Sequence, residues 1–329
     1  MPTLSSLEIC TGAGGQALGL EWSGFEHAAV VEIDPAACET LRANRAAEWN
    51  VVEADIRNLA ATSYRGVDLF AAGVPCPPFS IAGKQLGPED ERDLFPAALA
   101  IVEQAKPAAV LFENVPGLAT AKFAQYRDRL QRRLYRLGFE FVDWQVLNAC
   151  NFGVPQLRPR FILVALRGRA GRKFSWPDPG HAPQTVGETL VDLVGSRDWP
   201  GAARWKLRAN GIAPTIVGGS KLHGGPDLGP TRAKRAWAQL SVDAMGIADS
   251  PPAREFPIDA MPKLTVRMAA RVQGFPDSWI FSGRKTASYR QVGNAFPPPV
   301  ARAVGTAIRA ALLGSKKNQA SSDFELTSL

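Results

Sequence analysis

Five short apolar runs of strand length, 6–10 (SLEIC), 28–34 (AAVVEID), 67–74 (VDLFAAGV), 108–115 (AAVLFENV) and 160–168 (RFILVALRG), alternate with stretches of helical spacing. This rhythm restricts what the chain can fold into more than any single residue does. Residues 35–44 and 96–106 repeat at helical spacing, and 123–137 carry apolar side chains every three or four positions with arginines on the opposite face. Alternating elements of this kind predict an α/β fold, a mostly parallel sheet covered by helices.

The rhythm stops near residue 168. Up to about residue 261 the chain is rich in Gly, Pro, Trp and basic residues, as in GGSKLHGGPDLGPTRAKRAW, and sustains neither period. Helical spacing returns at LTVRMAARVQGF and VARAVGTAIRAALL, and SKKNQASSDFELTSL reads as a loose polar tail. The expected organisation is a larger domain over 1–168, a smaller loop-rich domain over 169–262, a return to the first domain over 263–313 and a flexible tail over 314–329. A chain of 329 residues that is 46% hydrophobic and 21% charged can bury cores for both domains.

The first residues lack a basic start followed by a long apolar stretch, and no run approaches the roughly 18 apolar residues of a membrane span. A soluble, cytoplasmic protein without membrane contact is expected. Cys10, Cys38, Cys76 and Cys150 are scattered, with no CxxC pair, so free thiols and no metal are expected. Cys38, in a helical pattern, and Cys150, before a strand, read as small core hydrophobes. A formal net charge of +7 suits a polyanionic partner, since lysines and arginines set against phosphates release condensed counterions.

Four local patterns carry chemistry. Glu8-Ile9-Cys10-Thr11-Gly12-Ala13-Gly14-Gly15 ends the first strand in a glycine turn that opens a helix, where backbone amides can approach a ligand closely. Gly12, Gly14 and Ala17 fit a loose dinucleotide fingerprint, and Glu32 ends the next strand, where ribose hydroxyls are usually bound. This turn alone does not separate NAD from S-adenosylmethionine. In Gly73-Val74-Pro75-Cys76-Pro77-Pro78-Phe79-Ser80, a cysteine restrained by prolines follows the end of a strand; it reads either as a nucleophile or as a buried thiol in a rigid turn. Glu113-Asn114-Val115 ends the next strand, and Gln156-Leu157-Arg158-Pro159-Arg160 opens a later one.

Taken in order, these motifs resemble those of the cytosine-5 DNA methyltransferases of bacterial restriction–modification systems. ExCTGAGG, Glu32-Ile33-Asp34, Ala54-Asp55-Ile56, Asp93-Leu94-Phe95, LTVRMAARVQGFPDSW and RQVGNAFPPPVA also fall in that family's order. The resemblance covers nearly everything outside the middle segment and the tail. It implies a Rossmann-like methyltransferase domain with a target-recognition domain. Cys76 would attack carbon 6 of a cytosine rotated out of duplex DNA. Glu113 would serve N3 of the base, positioned by Asn114 and Val115, and Arg160, supported by Arg158, would hold the base carbonyl and the Glu113 carboxylate.

The same resemblance places S-adenosyl-L-methionine, leaving as S-adenosyl-L-homocysteine, against Cys10, Thr11, Gly12, Gly14, Glu32, Ile33, Asp55, Ile56, Pro75, Leu94, Asn294 and Ala295. Glu32 would reach the ribose and Asp55 the adenine amino group. The family usually has an aromatic residue at the place of Cys10, glutamine at Pro77 and glutamate at Met268. Ser80, Thr215, Lys221, His223, Arg232, Lys234 and Arg235 are the implied DNA contacts, in a monomer without an obligate protein partner. A tRNA cytosine-5 methyltransferase, a DNA-binding relative without activity, and an NAD-dependent oxidoreductase suggested by the glycine turn alone are the competing readings.

Overall fold

The computed structural model describes residues 3–75, 93–180, 182–218 and 227–326, with side chains to residue 315. Cys76, Ser80, Lys221 and His223 lie outside the described residues. The larger sheet is built from β1 (Leu4–Ile9), β2 (Phe25–Glu32), β3 (Val51–Glu53), β4 (Leu69–Gly73), β5 (Ala109–Asn114), β6 (Phe141–Asn148) and β8 (Pro159–Leu166), in the order β3-β2-β1-β4-β5-β8-β6. Strands β1 to β5 run parallel, and β8 runs antiparallel to both of its neighbours. Every residue of β5 is buried, because helices cover both faces and leave no solvent side for a polar alternation.

Helices α2 (Pro35–Arg45), α3 (Phe95–Ala105) and α4 (Ala124–Arg136) fall where the spacing predicts them. Asp34 starts α2 by accepting from the Ala36 N–H, and Pro35 stands in the first turn, where its missing N–H costs nothing. On one face of the sheet, Phe95, Ile101 and Val102 of α3 and Tyr126, Leu130 and Leu134 of α4 pack with Phe70, Phe112 and Phe161. On the other face lie α1 (Gly15–Trp22) and α10 (Pro298–Leu326). Helix α10 continues through the polar stretch expected to be a loose tail; no Gly or Pro after Gly314 breaks it.

The middle segment is less irregular than its composition suggests. It contains α5 (Val186–Val194), α6 (Ala202–Arg208) and α7 (Thr231–Gln239), and its β9 (Ala213–Pro214) pairs in parallel with β7 (Gln156–Leu157). Thr185 and Glu188 exchange hydrogen bonds as a capping box at the start of α5. Trp199, Trp205 and Trp237 form one continuous core with Met268 and Val272 of α8 (Val266–Val272), Tyr289 and Val292 of α9 (Lys285–Asn294), and Leu18, Leu41 and Trp49.

The returning chain completes the first strand-to-helix turn. Trp279 donates its indole N–H to Ala13 O at 3.1 Å, and a side chain at Gly14 would meet Leu41 at 2.8 Å and Trp279 at 2.9 Å. A β-carbon at Gly19 would lie 2.4 Å from Pro298 O and 2.5 Å from the Ala301 methyl, so α1 and α10 touch almost backbone to backbone. Gly19→Ala should therefore destabilise the protein by about 1–3 kcal/mol, although alanine favours a helix. Urea unfolding measures this; a stabilised variant would contradict the close approach of α1 and α10.

Candidate active site

The glycine turn is shaped by backbone conformations that few side chains tolerate. Cys10, Gly12 and Gly14 have φ of 52°, 56° and 85°, and Cys10, lacking the freedom of glycine, is the strained member. Glu32, at the end of β2, braces the turn. One of its carboxylate oxygens accepts from the Gly12 N–H at 2.7 Å, and the other accepts from the Ile33 and Asp34 N–H groups, each at 2.9 Å. Three amides thus occupy much of the capacity expected to serve a ribose, and ribose contact would use the remaining lone-pair directions. Thr11 turns inward, its hydroxyl donating to Val31 O at 3.3 Å.

The other expected cofactor residues divide into exposed and buried groups. Ile33 is 60% exposed beside the turn, whereas Ile56 is 5% exposed and packs with the sheet core. Asp55 is engaged by Arg57 through side-chain and backbone hydrogen bonds, which hold its carboxyl below the usual carboxylate range. Pro75 and Asn294 are exposed, Leu94 caps α3, and Ala295 is buried, with its carbonyl accepting from Arg158 and Gln273. A β-carbon added at Gly12 would have no atom within 4 Å, so this backbone borders open space of the kind a nucleoside cofactor needs.

Glu113 and Arg160 come together at the carboxyl ends of the parallel strands. Glu113 ends β5, Arg160 opens the antiparallel β8, and Arg160 Nε lies 2.8 Å from Glu113 Oε1 with both residues 9% exposed. Burial raises the Glu113 pKa above the carboxylate range, opposed by the positive charges of Arg160 and Arg158 and by the Arg160 hydrogen bond. The adjoining strand β4 ends at Gly73, where an added β-carbon would lie 3.5 Å from Cys10 O and 3.6 Å from Glu113 Oε2. The glycine turn and the buried acid therefore meet across one residue, three positions before Cys76. Asn114, fully buried, donates to Val74 O at 3.1 Å and fixes the chain leading to that cysteine.

Arg158 does not join the pair. It is fully buried, and its guanidinium donates to the carbonyls of Ile216, Gly293 and Ala295 at 2.6, 2.7 and 2.9 Å. Its terminal nitrogens thus serve these carbonyls, while Nε has no hydrogen-bond partner among the described residues. Of the expected DNA contacts, Arg232 and Arg235 are exposed on α7, Lys234 is paired with Asp227 at 2.8 Å, and the Thr215 hydroxyl donates to Leu157 O at 2.6 Å.

The model of the C-5 cytosine-specific DNA methylase family matches residues 4–310. The chain belongs to that family. This DNA (cytosine-5) methyltransferase is 56% identical over 316 residues to the Type II methyltransferase M.NaeI of Lentzea aerocolonigenes, a match covering 95% of this chain and 76% of that one. It is 50% identical to M.NgoMIV of Neisseria gonorrhoeae, with 94% and 98% of the two chains covered. Among solved structures, the Dnmt2 methyltransferase of S. pombe shares the fold with a TM-score of 0.62 at 18% identity, covering 95% of this chain and 99% of its own.

The methylase also holds a residue that the sequence reading quoted without assigning a role. Glu8 lies in the centre of the sheet, fully buried, and neither carboxyl oxygen has a hydrogen-bond partner among the described residues. Burial, with the negative charge of Glu32 adding to it, pushes its pKa well above the carboxylate range. A carboxyl that binds its proton more tightly when folded stabilises the fold below its unfolded pKa, and that contribution disappears as pH rises through the raised folded value. Glu8→Gln removes this titration. The variant should keep its urea midpoint from pH 4.5 to neutrality better than the parent does, and an equal decline in both would contradict the assignment of a neutral Glu8.

Proposed function

We propose that this enzyme methylates cytosine within a specific sequence of double-stranded DNA, through a covalent adduct on Cys76, as the modification half of a restriction–modification system. The observation that carries the site assignment is the meeting of the Glu113–Arg160 pair with the glycine turn across Gly73. The Type II methyltransferases matched over nearly the whole chain support the setting.

Carbon 5 of cytosine is a poor nucleophile until addition at carbon 6 breaks the ring's aromaticity. The Cys76 thiolate forms a bond to carbon 6, and the electron pair released from the C5–C6 bond is delocalised over carbon 5 and toward N3. Glu113, kept more basic than an ordinary carboxylate by burial, holds a proton for N3. Arg160 keeps that carboxyl in place through Nε while Nη1 donates to Pro159 O at 2.8 Å, and its other N–H groups would serve the base carbonyl. S-adenosylmethionine supplies the electrophilic methyl group when bound. Gly12 and the exposed Ile33 are the residues that fit it best, with Glu32 bracing the turn. A base then takes the carbon 5 proton as the Cys76 thiolate leaves carbon 6, and N3 returns its proton to Glu113, which restores the aromatic ring.

The basic middle segment presents Arg232 and Arg235 to solvent and is suited to phosphate contact. Bisulfite sequencing of DNA from cells expressing the protein should reveal one recurrent sequence in which a cytosine resists conversion; tRNA modification with unmodified DNA would overturn the choice of substrate. Cys76→Ala should abolish transfer while leaving S-adenosylmethionine affinity within about threefold, measured by calorimetry. Glu113→Gln should lower kcat by about 10²- to 10⁴-fold and remove the alkaline limb of its pH profile, because the parent loses activity as Glu113 gives up its proton. An unchanged limb would assign that ionisation to another group.

A further inference from the structure

Residues 156–160 form a row in which alternate side chains face inward. Gln156 and Arg158 are 0% exposed and Arg160 is 9% exposed, while Leu157 between them is 47% exposed, as expected of extended chain with one covered face. Between them the inward side chains tie several parts of the enzyme together, with Gln156 and Arg158 sharing Ile216. Gln156 accepts from the Ile216 N–H at 2.8 Å and donates to Gln273 Oε1 at 2.6 Å. Arg158 donates to Ile216 O on one side and to Gly293 O and Ala295 O on the other. Arg160 holds Glu113.

The segment 213–218 is therefore gripped at Ile216 through both its N–H and its carbonyl. It also pairs with β7, and its Thr215 hydroxyl donates to Leu157 O. This stem packs against α9 without intervening side chains: a β-carbon at Gly293 would lie 2.4 Å from both Gly218 Cα and Gly218 N, and one at Gly218 would lie 2.5 Å from Arg290 O. Helix α7, with Arg232 and Arg235 exposed, rests on the same stem, since Gly229 at its start faces Val217.

We propose that this row is a joint that sets the basic helix α7 in register with Glu113 and Arg160, and that Arg158 is its pin, a positioning residue for target discrimination that does not touch the base. The inference rests on the reading of the chain as a sequence-specific DNA methyltransferase. Arginine suits the place because one planar fork can serve three carbonyls from two segments, which the single nitrogen of lysine cannot span.

Two variants test the joint from opposite sides. Arg158→Lys keeps the charge and loses the fork. Gly293→Ala keeps the Arg158 side chain itself, favours the helix, and drives a methyl group between the two segments that Arg158 bridges. The measurements are cooperative unfolding, S-adenosylmethionine affinity, and kcat/KM on a duplex carrying the sequence found by bisulfite mapping against one with a single substituted base pair. The parent should discriminate by roughly 5- to 150-fold, the usual effect of one base-pair change.

In both variants that ratio should fall below about threefold while cofactor affinity stays within about threefold. A merely structural role would scale all rates with the folded fraction and leave the ratio intact, and that outcome overturns the proposal, as does a loss of kcat at unchanged discrimination. Gly293→Ala decides the matter if Arg158→Lys does not fold. A parent that methylates no DNA would refute the functional reading instead. Amide exchange over 213–218 would then judge the joint itself: faster exchange by about tenfold in Gly293→Ala sustains it, and unchanged exchange overturns it.

Discussion

The catalytic end of this molecule depends on one buried ion pair, Arg160 with Glu113. Such a pair adds little stability, because removing two charges from water costs about as much as their attraction returns. What it provides is a carboxyl whose proton affinity is balanced: burial alone would keep Glu113 neutral, and the guanidinium alone would keep it ionised. The strand reversal makes the pair possible. Glu113 is at the end of β5 and Arg160 at the start of β8, and only an antiparallel neighbour brings an end beside a start. In a wholly parallel sheet the same two residues would stand at opposite edges.

Most of the framework could be read from the sequence because it is made of buried parallel strands, which appear as uninterrupted apolar runs. Strand β6 was missed for the opposite reason: at the edge of the sheet, FVDWQVLN mixes polar and apolar residues. Helices α6 and α7 were missed because each anchors itself mainly through one tryptophan, Trp205 or Trp237, among basic residues. The start of α5 did carry a readable local signal in Thr185 and Glu188.

The site was less legible than the fold. The pairing of Glu113 with Arg160 followed from motif order, but what Glu32 and Arg158 do with their hydrogen-bonding capacity could not be seen. Residue type states how many bonds a side chain can make and says nothing of which backbone groups will claim them. Glu32 is largely occupied by three amides of its own surroundings, and Arg158 by three carbonyls from two later segments. The residue type of Gly293 likewise gives no sign that Gly218 lies against it.

The contact between Trp279 and Ala13, like that between Gly19 and Pro298, joins residues separated by most of the polypeptide. During translation the first strand and its turn emerge long before the partners that lock them. Glu32 can brace the turn from nearby, but the packing of Trp279 against it and of Pro298 against α1 is a contact of high sequence separation, which closes late because distant segments must meet before it forms.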